Sequence, residues 1–149
     1  GQPWLTQKWV REVIDEVYSD NDPQHGYSGD EDQGLMGALC VLMKIGLFEM
    51  KGGADINPSY DLSSPIFDQI TIHLDKDYYK GGSFKIDVLN NSPKNKFIQS
   101  VKLNGKPLNQ SWLYHKDIVK GGNLEYVLGE EPNYDWGTAL ESLPSSMSD

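Results

Sequence analysis

The sequence predicts an α+β protein: a helical hairpin over residues 1–50, then an antiparallel β-sandwich-like module over 54–143. Two observations carry that reading. Apolar residues recur at helical spacing up to about residue 45, and beyond Asp55 they alternate with period two between turn signals. A third observation sharpens it, because the second helix is apolar on nearly every face and requires partners.

The first helix is expected from Trp4 to about Ser19. Leu5, Trp9, Val13 and Val17 fall at i, i+4 spacing, with Val10, Ile14 and Tyr18 widening the stripe. Thr6, Gln7, Arg11, Glu12, Asp15 and Glu16 supply most of the opposite face. Asp20-Asn21-Asp22-Pro23 ends it, since the residue before proline avoids helical angles. The second helix, about Gln33 to Ile45, carries Leu35, Met36, Ala38, Leu39, Cys40, Val41, Leu42, Met43 and Ile45. One partner helix and a β region are a small enclosure for such a segment. The mismatch suggests a helix pair cut from a larger helical assembly, and a chain that opens on Gly1-Gln2-Pro3-Trp4 without an initiator Met fits a fragment.

Lys51-Gly52-Gly53 joins the helices to the β module. Strands are expected at 69–74, 83–88, 97–103 (alternating only in part) and 123–128. They are bounded by Lys80-Gly81-Gly82, Asn90-Asn91-Ser92-Pro93, Asn104-Gly105 and Lys120-Gly121-Gly122. Asn104-Gly105-Lys106-Pro107 is a tight hairpin signal. Residues 144–149 read as a disordered tail.

The formal charge of −9, from 22 acids against 13 bases, argues against nucleic acid or an anionic membrane as partner. No apolar run is long enough to span a bilayer, and no signal peptide opens the chain. The lone Cys40 can form no internal disulfide and reads as a buried structural thiol. His25, His73 and His115 share no zinc-ligand spacing. Trp112, Tyr114 and Trp136 are candidates for a sugar-stacking platform, weighed against plain packing of large aromatics.

The densest chemistry lies in Gly29-Asp30-Glu31-Asp32-Gln33-Gly34, a glycine-rich loop entering the apolar helix. Closely spaced carboxylates repel, which raises the pKa of at least one and leaves an ionised neighbour able to activate water. Helix capping is the competing role, since acids are favoured at a helix N-terminus. An EF-hand is excluded, because a loop starting at Asp30 would need a ligand at Gly34 and a glutamate at Val41.

The stretch from Gly26 to Phe48 resembles the last catalytic loop and helix of glycoside hydrolase family 92, the bacterial exo-acting, calcium-dependent α-mannosidases. Their loop reads Gly-Asn/Asp-Glu/Asp-Asp-x-Gly-x-Met. Here it stands as Gly29 to Met36, followed by Ile45-Gly46-Leu47-Phe48. The resemblance continues through Ser64-Pro65-Ile66-Phe67-Asp68, Leu103-Asn104-Gly105-Lys106-Pro107, His115-Lys116-Asp117-Ile118, Gly121-Gly122-Asn123-Leu124 and Pro132-Asn133-Tyr134-Asp135-Trp136-Gly137. It implies that residues 1–50 are the last helices of an (α/α)6 barrel, and that the β region buttresses it. It also implies an inverting hydrolase, with Asp32 as general base and Asp30 assisting, while Glu31 points away or caps the helix. The general acid and most ligands of the calcium ion would lie elsewhere in the parent chain, so the fragment alone is expected to be inactive. The implied substrate is a mannose-containing glycan, cut at terminal α-1,2 linkages, and the implied location is secreted, periplasmic or cell-surface in a bacterium. An exposed barrel-facing surface is expected to let the isolated piece form a homodimer. The alternative is a non-catalytic carbohydrate-binding or interdomain support module. Departures from the family text are Leu35, Gly37, Leu39-Cys40 and Glu49, which stand where Gln, Ser, Trp-Tyr and Pro are usual.

Overall fold

The computed structural model describes residues 1–18 and 35–144, Leu35 by its backbone alone. Helix α1 spans Pro3–Val17 and α2 spans Leu35–Ile45. Short strands β1 (Leu47–Phe48) and β2 (Ser59–Leu62) follow, then β3 (Gln69–His73), β4 (Ser83–Leu89) and β5 (Phe97–Leu103). After β6 (Lys106–Pro107) and β7 (Trp112–Tyr114) come a one-turn helix α3 (His115–Ile118), strand β8 (Gly122–Gly129) and a 3-10 turn at Leu140–Ser142.

The strands form two sheets. Strands β1, β2 and β7 make an antiparallel sheet in that order, and the larger sheet runs β3-β4-β8-β5-β6. The expectation of a wholly antiparallel module is corrected by this second sheet. β8 inserts between β4 and β5, antiparallel to β5 but parallel to β4, with Phe84 opposite Gly122 and Leu89 opposite Val127. A period-two pattern reports which face is buried, not the direction of the neighbouring strand.

Within that sheet the alternation is regular. Phe84 and Ile86 of β4 and Leu124 and Tyr126 of β8 are fully buried, each contributing about 1.5–3 kcal/mol of apolar burial. β5 is irregular because a bulge sets Ile98 opposite Leu128 and Ser100 opposite Val127, leaving Gln99 as the extra residue. That shift lets Ile98 and Val101, three apart, both face the core. The β5–β6 turn has Asn104 at φ 52° and Gly105 at φ 76°, the left-handed pair the hairpin signal required. Gly81 and Gly121 pack backbone to backbone, so a Cβ on either would collide with the other's main chain.

Helix α1 buries only part of the face its apolar spacing indicates. Trp9 is 56% exposed and Val13 37%, whereas Gln7 (1%) and Arg11 (4%) are buried with Pro3, Ile14 and Tyr18. Polar side chains can displace apolar ones from an interface when each finds a hydrogen-bond partner there, and both do. Val10, Ile14, Val17 and Tyr18 meet Met36, Leu39, Cys40 and Met43 of α2 in a small second core. Cys40 is buried there as a free thiol. Val41, on the same apolar helix, is 58% exposed. Of the expected tail, Pro144 is exposed and residues 145–149 lie outside the described residues.

Candidate active site

Asp30 and Asp32, with Glu31 and His25, fall in residues 19–34, outside the described residues. What the structure describes is the pair of helices that flank that segment and what holds them. Gln7 Oε1 accepts the Ile98 backbone N–H at 2.9 Å, joining α1 to the bulged strand β5. Four residues on, the Arg11 guanidinium donates to the Pro65 carbonyl at 2.9 Å and to the Ser92 carbonyl at 3.4 Å. Burial lowers the Arg11 pKa from its ordinary value, opposed by the charge of Asp15.

Pro65 belongs to a segment that the end of α2 also grips. Ser63 N–H donates to the Gly46 carbonyl at 3.0 Å, and Ile66 N–H to the Lys44 carbonyl at 3.1 Å. Lys44 Nζ in turn donates to the Tyr18 carbonyl at 3.2 Å, and the Tyr18 hydroxyl lies 3.6 Å from Met36 Sδ. Residue 18 is the last described before the acidic segment, and Met36 follows it closely.

Between α1, α2 and the small sheet lies an open groove of about 590 Å³, walled by Val10, Leu39, Leu42, Met43 and Phe48. Asp61 is a polar group in that wall. Its carboxyl pKa is raised, first by burial and then by the charge of Glu49, with Lys51 opposing. Sequence reasoning missed Asp61 because Ser59–Leu62 carries too few apolar residues to read as a strand.

Comparison with known proteins gives this arrangement a context. The model of the glycosyl hydrolase family 92 catalytic domain matches residues 1–130. The chain belongs to glycosyl hydrolase family 92. A secreted glycosidase of uncharacterised activity from Arthroderma benhamiae is 32% identical over 149 residues, covering 99% of this chain and 18% of the relative. The structure of an inverting family 92 mannosidase from Bacteroides thetaiotaomicron is 33% identical, with a TM-score of 0.86 over the whole chain and 19% of that protein. A second family 92 α-mannosidase from that organism, in complex with mannoimidazole, is 31% identical. Its TM-score is 0.86 over 97% of this chain and 18% of that one. The chain therefore spans less than a fifth of the length of each of these three relatives.

Among the described residues, the calcium ion that the family resemblance implies finds no carboxylate cluster to hold it, since no three His, Cys, Asp or Glu side chains are grouped to hold a metal. The candidate aromatic platform is divided by the fold, and Trp136 takes the packing role weighed against it. Trp136 is buried in the main core, its indole N–H donating to the Leu108 carbonyl at 2.8 Å. Trp112 and Tyr114 share the outward face of β7 with ring centres 4.9 Å apart. Lys116 lies over the Tyr114 ring, and the Trp112 N–H donates to the Ser142 carbonyl. His73 is exposed, and His115 Nδ1 lies 3.4 Å from the Tyr60 hydroxyl. Neither histidine joins the other or the acid segment's flanks. Among the described residues no helix is long and apolar enough to cross a membrane.

Proposed function

We propose that this chain is the part of an inverting α-mannosidase that carries the general-base loop. The observation that carries the reading is likeness along the whole chain, at 33% identity and a TM-score of 0.86, to a protein described as an inverting mannosidase. On this reading Asp32 takes a proton from the attacking water on one face of the sugar, and Asp30 orients that water or shares the proton. An acid from elsewhere in the parent chain protonates the leaving oxygen on the opposite face. Substitution from the far side converts an α-mannoside to β-mannose. Terminal α-1,2-linked mannose on a mannose-rich glycan is the proposed substrate.

The exposed Trp9, Val13 and Val41 support the further reading that residues 1–50 complete an (α/α)6 barrel supplied by the rest of the parent. Residues 54–143 then act as its β buttress. Most ligands of the calcium ion are proposed to lie in the remainder of the parent. A secreted, periplasmic or cell-surface location follows from the same family reading, and a relative described as secreted supports it. The fragment, holding one side of the reaction, is proposed to be inactive alone. The test is the parent's activity on α-1,2-mannobiose with calcium, with NMR of the first anomer released. The expected result is β-mannose from the parent and none from its Asp32→Asn variant or from this chain, because an amide cannot accept the proton. Wild-type rates in Asp32→Asn would remove Asp32 from the mechanism.

A further inference from the structure

We infer that Arg11 is a positioning residue, whose hydrogen bonds to Pro65 and Ser92 fix the relative placement of the two helices that bracket residues 19–34. The inference rests on the reading of that segment as the general-base loop. Arg11 lies on α1, the helix that leads into the segment, and Pro65 lies in a stretch where Ile66 bonds to Lys44 in the last turn of α2 and Ser63 to Gly46 just past it. One guanidinium thus ties α1 to the same short stretch that holds α2. Lys44 closes the circuit, because its carbonyl accepts from Ile66 and its ammonium donates to the Tyr18 carbonyl. Gln7 adds an attachment one turn earlier, on β5.

The choice of residue argues for placement over stability. Arg11 is 4% exposed, and its Nε has no hydrogen-bond partner among the described residues, while Trp9 and Val13 of the same helix face outward. An apolar residue in the Arg11 site would avoid the cost of desolvating a charge, and such replacements are often neutral or stabilising elsewhere. Apolar contacts tolerate a helix sliding or turning by an ångström. A guanidinium fork aimed at two carbonyls does not. Misplacing a catalytic group by about 1 Å costs on the order of 100-fold in rate.

The experiment uses the full-length parent with Arg11→Met and Arg11→Lys. A control, Phe84→Leu, lies in the core of the larger sheet away from both helices. Turnover and KM are measured on an α-mannoside, beside hydrogen–deuterium exchange of the peptide spanning 19–34. Arg11→Met is expected to lower kcat by about tenfold or more with KM held within about twofold. Exchange across 19–34 should rise while that of β8 stays at the wild-type level. Arg11→Lys, which can reach one carbonyl but not both, should recover part of each effect. Phe84→Leu should lower the melting temperature and leave kcat unchanged. Wild-type kcat and exchange in Arg11→Met would overturn the inference, as would an equal loss of kcat in Phe84→Leu. If Arg11→Met does not fold, Arg11→Lys decides by the same readouts. If the wild-type parent proves inactive on α-mannosides, the functional reading falls and the exchange data alone decide the positioning role.

Discussion

Tyr126 offers a test of the core accounting that is independent of the chemistry. It is fully buried in β8 at the centre of the larger sheet, and its hydroxyl has no hydrogen-bond partner among the described residues. A buried polar group without a partner costs about 1–3 kcal/mol. Tyr126→Phe keeps the ring and removes the orphaned hydroxyl, so the variant should be more stable by about that amount. Urea unfolding of the 149-residue chain, followed by tryptophan fluorescence, would show this as a midpoint rise of roughly 0.5–1.5 M for a slope of about 2 kcal/mol per molar.

The gain should also depend on pH. Burial pushes the Tyr126 phenol far above its ordinary value of 10.0. Below that value both states hold the proton and ionisation contributes nothing. Above it the unfolded chain releases the proton and the folded chain does not, so the wild type loses about 1.4 kcal/mol per pH unit that the variant keeps. A loss of stability in Tyr126→Phe at neutral pH would refute the reasoning and show that the hydroxyl is paired. A pH-independent difference up to pH 11 would refute the second leg.

Two further outcomes test the fold and its uncovered face. Gly121→Ala should cost at least about 2 kcal/mol, because a left-handed φ of 76° is combined with a Cβ driven into the Gly81 backbone. Thermal unfolding measures it. Val41→Lys should leave the stability of the isolated chain within about 0.5 kcal/mol and shift it from dimer to monomer in sedimentation, while lowering the melting temperature of the parent, where this face is proposed to be covered. A wild-type chain that stays monomeric at high concentration would end the dimer expectation.

What the sequence made legible was governed by how local the determining physics is. Alternation located β3, β4, β5 and β8 to within a residue or two, because each buries one face against the same core. Asn104-Gly105 named its own turn for a similarly local reason, the left-handed angles that both residues tolerate. The parallel pairing of β4 with β8 was not legible, since strand direction depends on where the chain returns rather than on any one strand's pattern. The two-residue strands β1 and β6 are too short for any period to show, and Tyr60 and Asp61 gave β2 no clear alternation.

Helix α1 is the most instructive failure. Of its apolar stripe, Ile14 and Tyr18 are buried, but Trp9 and Val13 face outward, while Gln7 and Arg11 face the β module. No local pattern could announce this, because their partners Ile98, Pro65 and Ser92 stand 91, 54 and 81 residues away. The reversal has a consistent physical sense if α1 serves two interfaces. Towards the β module it uses oriented hydrogen bonds, which set position. On its other side it offers Trp9 and Val13, which reward any apolar cover and specify little by themselves. On the proposed reading, in which α1 enters the general-base loop inside a larger helical assembly, the helix would need both kinds of contact. The polar side can be exact because its partners lie within this chain, and on that reading the apolar side would be left for the proposed parent to bury.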